Sequence, residues 1–163
     1  MIVVADASPL IFLAKIRRLH LISDLFGGDI RVAEVIRDEA LAGPIDPAEA
    51  EALQAFFALC RVEPVKQPRR FAAAMSQADD AALTLAVRLR ADILLCDERV
   101  TRLMAEAEGV RPMGTLGVIL RAAREAHVSR GDAREMIDGL VATHGFRIGV
   151  ELYRSVLREL DGV

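Results

Sequence analysis

Two short aliphatic runs, each cut off by an acid, constrain this chain more than any other feature. Ile2-Val3-Val4-Ala5 ends in Asp6, and Ile93-Leu94-Leu95-Cys96 ends in Asp97. A continuous apolar run of this length, bounded by polar residues, reads as a strand buried on both faces. Strands of that kind need helices on both sides of their sheet, and helical patterns do fill the chain between and after the two runs. The expected fold is α/β, three layers deep, with a short, mostly parallel central sheet. No internal repeat or linker interrupts the 163 residues, so one domain over 1–163 is expected.

The helical signals are local and specific. Ser8-Pro9 offers an N-cap followed by Pro at the first helical position, ahead of Leu10, Ile11, Leu13 and Ala14. His20 to Phe26 reads as a short helix closed by Gly27-Gly28, Ile30 to Val32 as a brief strand, and Ala33 to Leu41 as a helix stopped by Gly43-Pro44. Asp46-Pro47 opens a helix to Leu59, Arg61 to Val65 is a further short strand, and Ser76 starts a helix that ends near Arg90. Helices are expected over 99–108, 116–126, 131–142 and 149–160.

Hydrophobic residues make up 53% of the chain, enough to exclude disorder. Aromatics are 4% and Trp is absent, so the core must be aliphatic. No apolar run reaches the roughly 20 residues that span a bilayer. The opening lacks the basic lead of a signal peptide, so a cytoplasmic protein without membrane attachment is expected. Cys60 and Cys96 lack metal-ligand spacing and read as reduced core thiols. The net charge of −3 argues against a generically basic nucleic-acid binder, unless the acids are concentrated in one place.

Four acids lean toward the interior. Asp6 and Asp97 each follow a buried strand, and ligands of open α/β sheets bind beyond the carboxyl ends of strands. A strand-end Asp can also be a simple cap or turn residue. Glu39 falls on the expected apolar stripe of Val35, Ile36 and Ala40, where it needs a metal or a buried arginine partner. Asp79 shares a face with Ala82, Leu83 and Ala86, yet Ser76-x-x-Asp79 also resembles a capping box. Asp80 is turned away toward Thr84 and Val87 and reads as a capping acid. No comparable group of His or Cys accompanies these carboxylates, and His20, His127 and His144 stand apart from any acid–nucleophile arrangement. A carboxylate-only site suits Mg²⁺ or Mn²⁺ and not zinc. Basic residues at Lys15, Arg17 and Arg18, at Arg69 and Arg70, and at Arg99 and Arg102 would lie near the rim, with Arg99 a candidate for positioning substrate.

Taken in order, these motifs resemble the PIN-domain family of the VapC-like type. The matching stretches are Asp6-Ala7-Ser8-Pro9-Leu10-Ile11, the helix ending Glu39-Ala40, Asp79-Asp80-Ala81-Ala82-Leu83-Thr84-Leu85-Ala86, Leu95-Cys96-Asp97-Glu98 and Gly114-Thr115-Leu116-Gly117. The resemblance implies a PIN-like fold and a Mg²⁺- or Mn²⁺-dependent endoribonuclease cleaving single-stranded RNA. It further implies the toxin of a toxin–antitoxin pair, silenced by a cognate antitoxin, and a homodimer. Asp6, Glu39, Asp79 and Asp97 would be the catalytic, metal-binding quartet, Glu98 would hold metal through water, and Ser8 would position a phosphate or a metal-bound water. Asp79 stands where the family has Glu, one methylene longer, and Asp80 is available to share its role. Two other readings compete. A catalytically silent PIN fold would act as a binding or assembly protein. A haloacid-dehalogenase-like phosphatase would need a second Asp where Ser8 stands.

Overall fold

The computed structural model describes residues 1–162; Val163, the last residue of the expected domain, lies outside them. Five strands, β1 (Val3–Ala5), β2 (Ile30–Ala33), β3 (Arg61–Glu63), β4 (Ile93–Leu95) and β5 (Arg111–Met113), form one parallel sheet in the order β3-β2-β1-β4-β5. Helices α1 (Ala7–Lys15), α2 (His20–Phe26), α3 (Glu34–Ala40), α4 (Pro47–Leu59), α5 (Gln77–Leu89), α6 (Arg99–Ala107), α7 (Thr115–Arg124), α8 (Arg130–Thr143) and α9 (Val150–Asp161) flank it. The architecture is the expected three-layer α/β/α arrangement. None of these helices is long and apolar enough to cross a membrane.

The two runs that opened the sequence reading are neighbours at the centre of the sheet. Val3, Val4 and Ala5 pair in parallel with Ile93, Leu94 and Leu95, and all six are fully buried. Strands covered on both faces can carry no polar side chain, which is why both runs are continuous rather than alternating. The chain winds outward from β1 through β2 to β3, then returns to lay β4 on the other side of β1. The strand order therefore reverses between β1 and β4, and the crevice beyond their carboxyl ends is the topological switch point of the sheet. Asp6 and Asp97 emerge there, and the Asp6 N–H still donates to the Leu95 carbonyl at 2.9 Å.

Two local features depart from expectation. α1 is capped by Asp6 and not by Ser8: an Asp6 carboxylate oxygen accepts the Ala7 N–H at 2.8 Å, and Ser8 falls inside the first turn. Pro9 is tolerated there because the first-turn N–H groups have no intrahelical partner. The shift frees the Ser8 hydroxyl for another contact. β5 is a strand the sequence reading omitted. Pro112 stands at its middle and cannot donate to a ladder, but β5 pairs only with β4 and forms the sheet edge, where proline is admissible.

The core is aliphatic, with Leu10, Leu13, Leu21, Ile22, Leu53, Leu83, Leu85 and Ile119 fully buried around the sheet. Cys96 is buried, Cys60 is half-buried, and both are unbonded thiols. Burial pushes each of them up to about 12, so they remain neutral.

Candidate active site

Asp6 is the anchor of the acidic group. Only 3% of its surface is exposed, and its carboxyl is raised well above the ordinary aspartate range. Burial is the main cause; the charge of Asp79 and a hydrogen bond shared with it add to the rise, the Ala7 N–H opposes it, and Glu39 contributes a smaller push. Asp79 reaches this position from the N-terminus of α5. The Ser76 hydroxyl accepts the Asp79 N–H, and the Asp79 carboxylate accepts the Ser76 N–H, both at 3.1 Å. The capping box is thus real, and it holds Asp79 against Asp6 as well: capping and clustering are not alternatives here.

Glu39 joins the group from α3, though not as the sequence pattern implied. Val35 and Glu39 are both exposed, and the inward stripe of α3 is Ile36 and Ala40 alone. Glu39 stands at the rim of the crevice, where partial desolvation and the charge of Asp79 raise its carboxyl. The buried arginine partner weighed for it does not exist: among the described residues, Asp6, Glu39 and Asp79 make no salt bridge.

Asp97 is held in a different manner. One carboxylate oxygen accepts the Thr115 N–H at 2.7 Å; the other accepts the Thr115 hydroxyl at 2.7 Å and the Ser8 hydroxyl at 2.9 Å. Three neutral donors fix its plane without neutralising its charge. Thr115, fully buried at the start of α7, is a positioning residue to which the sequence reading assigned no role. Its signal was the Gly114-Thr115-Leu116-Gly117 stretch, which matched a family motif without disclosing that Thr115 holds Asp97. Gly114 makes the packing possible: a Cβ there would lie 2.8 Å from an Asp97 carboxylate oxygen and 3.0 Å from an Arg102 guanidinium nitrogen.

The remaining candidates separate. Glu98 is exposed at the N-cap of α6 and lines the pocket beside Asp97. Arg99 is exposed and does not line that pocket; Arg102, one turn further on, does, with Nη1 donating to the Cys96 carbonyl at 3.4 Å. Most of the other expected rim cations are engaged elsewhere. Lys15 pairs with Glu49, Arg69 with Glu108, and Arg70 with Asp80, while Arg17 lines a separate pocket of about 610 Å³ between α1, α2 and α4.

Asp80 corrects the reading most sharply. It is fully buried, bound by Arg70, and accepts the Phe71 N–H at 3.1 Å. Arg70 also donates to the Met75 carbonyl. Asp80 therefore fastens the segment between β3 and α5 onto α5, and it can neither act as a free capping acid nor substitute for Asp79.

The donor chemistry fits a hard divalent cation. All the candidate ligands are oxygen, and three crowded carboxylates with no cation among them would be relieved by positive charge. Among the described residues no three acidic, imidazole or thiol side chains stand close enough to cage one ion. Mg²⁺ does not require a cage, since it usually keeps several waters and takes one or two carboxylates directly.

No curated protein matches the chain. Among solved structures, it is similar to a PilT N-terminus domain protein from the hyperthermophilic archaeon Sulfolobus solfataricus P2, at 15% identity over 72% of this chain and 90% of that one, with a TM-score of 0.56. That likeness is one of fold. A family model described as a PIN domain, DUF3368, matches residues 2–162. With its acids gathered at the switch point of a five-stranded parallel sheet, the chain belongs to the PIN-domain family.

Proposed function

We propose that the protein is a Mg²⁺- or Mn²⁺-dependent endoribonuclease acting on single-stranded RNA. The PIN fold is in general a nuclease fold, and the observation that carries the finer reading is the buried Asp6 carboxyl, crowded by Asp79 and Glu39 with no cation to balance them. Such repulsion at a nearly fully buried acid is the mark of a site that positive charge enters. Asp6, Asp97, Glu39 and Asp79 would hold the metal, and Glu98 would hold it through water. The bound metal supplies a Lewis acid for the phosphodiester and lowers the pKa of a coordinated water.

The chain's own groups do the rest. The Asp6 carboxyl, raised by burial and by the charge of Asp79, would release its proton more readily with positive charge beside it. Thr115 and Ser8 keep the Asp97 carboxylate in one plane, so it is presented without reorganisation. Arg102, tied to the Cys96 carbonyl, offers a guanidinium to a phosphate approaching Asp97. Residues 1–163 are taken as one PIN-like, cytoplasmic domain. The toxin role, a cognate antitoxin and a homodimer belong to the same reading and rest on the resemblance of its motifs to VapC-like proteins.

A second reading, a PIN fold kept as a binding or assembly protein, is favoured by one feature: the shorter Asp79 carboxylate is committed to the Ser76 N–H. The deciding experiment incubates the purified chain with labelled single-stranded RNA and Mn²⁺ or Mg²⁺, beside Asp6→Asn and an EDTA control. Cleavage that vanishes in both controls is expected. No cleavage by folded wild type with either metal would overturn the nuclease reading, and gain of cleavage in Asp79→Glu would then point to a weakened ligand.

A further inference from the structure

A pocket of about 780 Å³ opens directly from Asp97 and Glu98, on the side away from Asp79. This is within the roughly 300–1,000 Å³ typical of small-molecule sites. Its walls come from parts of the chain far apart in sequence: α1, the first turn of α6, the β5–α7 junction, residues 145–147 and α9. Of the proposed acidic quartet Asp97 alone lines it among the described residues, and the segment between α8 and α9 that closes it makes no hydrogen bond to those acids.

Three observations give the pocket a chemistry. Its apolar side includes Phe146, half-buried and set edge-on to Phe12 with ring centroids 4.9 Å apart, along with Met113 and Leu116. Its polar side carries two guanidiniums, Arg102 and Arg147, and neither makes a salt bridge among the described residues. Two glycines let the lining side chains seat closely: a Cβ at Gly117 would come within 2.8 Å of the Met113 side chain, and one at Gly114 would strike Asp97 and Arg102. An aromatic ring, aliphatic walls and two cations beside a carboxylate site match a nucleotide, whose base is flat and apolar-faced and whose phosphate is anionic.

We infer that this pocket is a nucleotide subsite. It takes one unstacked nucleotide of an RNA strand next to the cleaved phosphate, with the base against Phe146 and the adjoining phosphate on Arg102 and Arg147. The inference rests on the nuclease reading and deepens it. A base can enter only by leaving a stack, so the subsite selects single-stranded over duplex RNA. Base–aromatic stacking contributes about 1–3 kcal/mol per base, which gives an affinity difference of roughly fivefold to 150-fold. It tolerates any base, since every base has a π face.

The test uses the full chain as Asp6→Asn, so that the strand survives, with a single-stranded RNA tetramer carrying one 2-aminopurine as the probe. Fluorescence quenching on titration reports stacking, and anisotropy reports affinity. Quenching is expected in Asp6→Asn and lost on adding Phe146→Ala. Arg147→Glu, at an exposed position that cannot disturb the core, should weaken binding at least about tenfold with an unchanged melting temperature. Unaltered quenching and affinity in both double variants would overturn the subsite; if wild type still cleaves RNA, the nuclease reading survives. Quenching that obeys the prediction while wild type fails to cleave with either metal would leave the subsite standing and remove the nuclease reading. Absence of any binding by the folded Asp6→Asn protein would overturn the subsite.

Discussion

The two ends of one sheet treat their acids in opposite ways. At the amino ends of the strands, Asp29 binds Arg31 of β2, and Asp92 accepts the Ile2 N–H at 2.7 Å. The hydrogen bond from Arg31 holds the Asp29 carboxyl below the usual aspartate range. At the carboxyl ends, Asp6, Asp79 and Glu39 face one another, and burial with mutual repulsion lifts Asp6 well above that range. The residue types are the same at both ends, and so is the scaffold. Asp29 is given a cation, whereas Asp6, Asp79 and Asp97 at the switch point have only neutral donors among the described residues, and the proposed metal site rests on that unrelieved charge.

The comparison can be broken or sharpened by experiment. The largest effect is expected at Asp6. If the acids at the carboxyl end carry the reaction, Asp6→Asn should reduce metal-dependent RNA cleavage by about 10²–10⁴-fold, the usual weight of a proton-handling carboxylate. The same substitution should raise the thermal midpoint of the metal-free protein at neutral pH. A drop in that midpoint would mean that the Asp6 charge stabilises the fold, and the contrast between the two ends would fail.

Thr115→Val comes next. It removes the hydroxyl donor but keeps the backbone N–H on Asp97, and should lower cleavage about 10–100-fold, the range for partners that orient a metal ligand. Stability should fall by only about 1 kcal/mol. Equal losses in activity and stability would make Thr115 a structural residue only.

Arg70→Ala probes a fully partnered buried acid. It leaves Asp80 with the Phe71 N–H alone, at a cost of about 1–3 kcal/mol in urea unfolding. With Asp80→Asn added, much of that loss should return, because no buried charge is then left unpaired.

The pH dependence of the metal-free fold follows from the sign of each shift. Asp6 has a raised folded value, so the native state holds its proton when the unfolded chain has released it. Stability should therefore fall as pH climbs from the ordinary aspartate range through the raised value, and then level off. Asp6→Asn should flatten that limb. Asp29 has the opposite sign: its contribution is present above the ordinary value and lost as pH falls through the lowered one. Since its carboxylate is open to solvent, Asp29→Asn should be the smallest effect, a thermal midpoint unchanged or slightly lower.

Much of the fold could be read from residues alone. The runs at Ile2–Ala5 and Ile93–Cys96, the helix over His20–Phe26, the Asp46 cap of α4 and the Ser76–Asp79 capping box are all set by neighbours within a few positions, and each stands where the sequence implied. One misreading is local: Asp6 displaces Ser8 as the cap of α1. β5 forms despite Pro112, Glu39 faces the rim and Asp80 is buried under Arg70, and each of these depends on packing beyond the element's own residues. The bond from Ser8 to Asp97 spans 89 positions, and the Thr115 contacts span 18 and reach Asp97 from the start of α7.

By itself the sequence determined that a few aliphatic strands would be buried between helices, and that acids would close the two strongest of them. Short-range periodicity and capping suffice for that, because they act over one or two turns of chain. Only the tertiary structure decided which acids would meet. Asp79 and Asp80 are adjacent on one helix, yet about 100° of helical rotation sends one to the switch point and buries the other against Arg70. The apolar side of α5 is legible in Ala82, Leu83 and Ala86, but what Asp79 and Asp80 meet beyond the helix is settled by how neighbouring segments pack, and no local pattern carries that information.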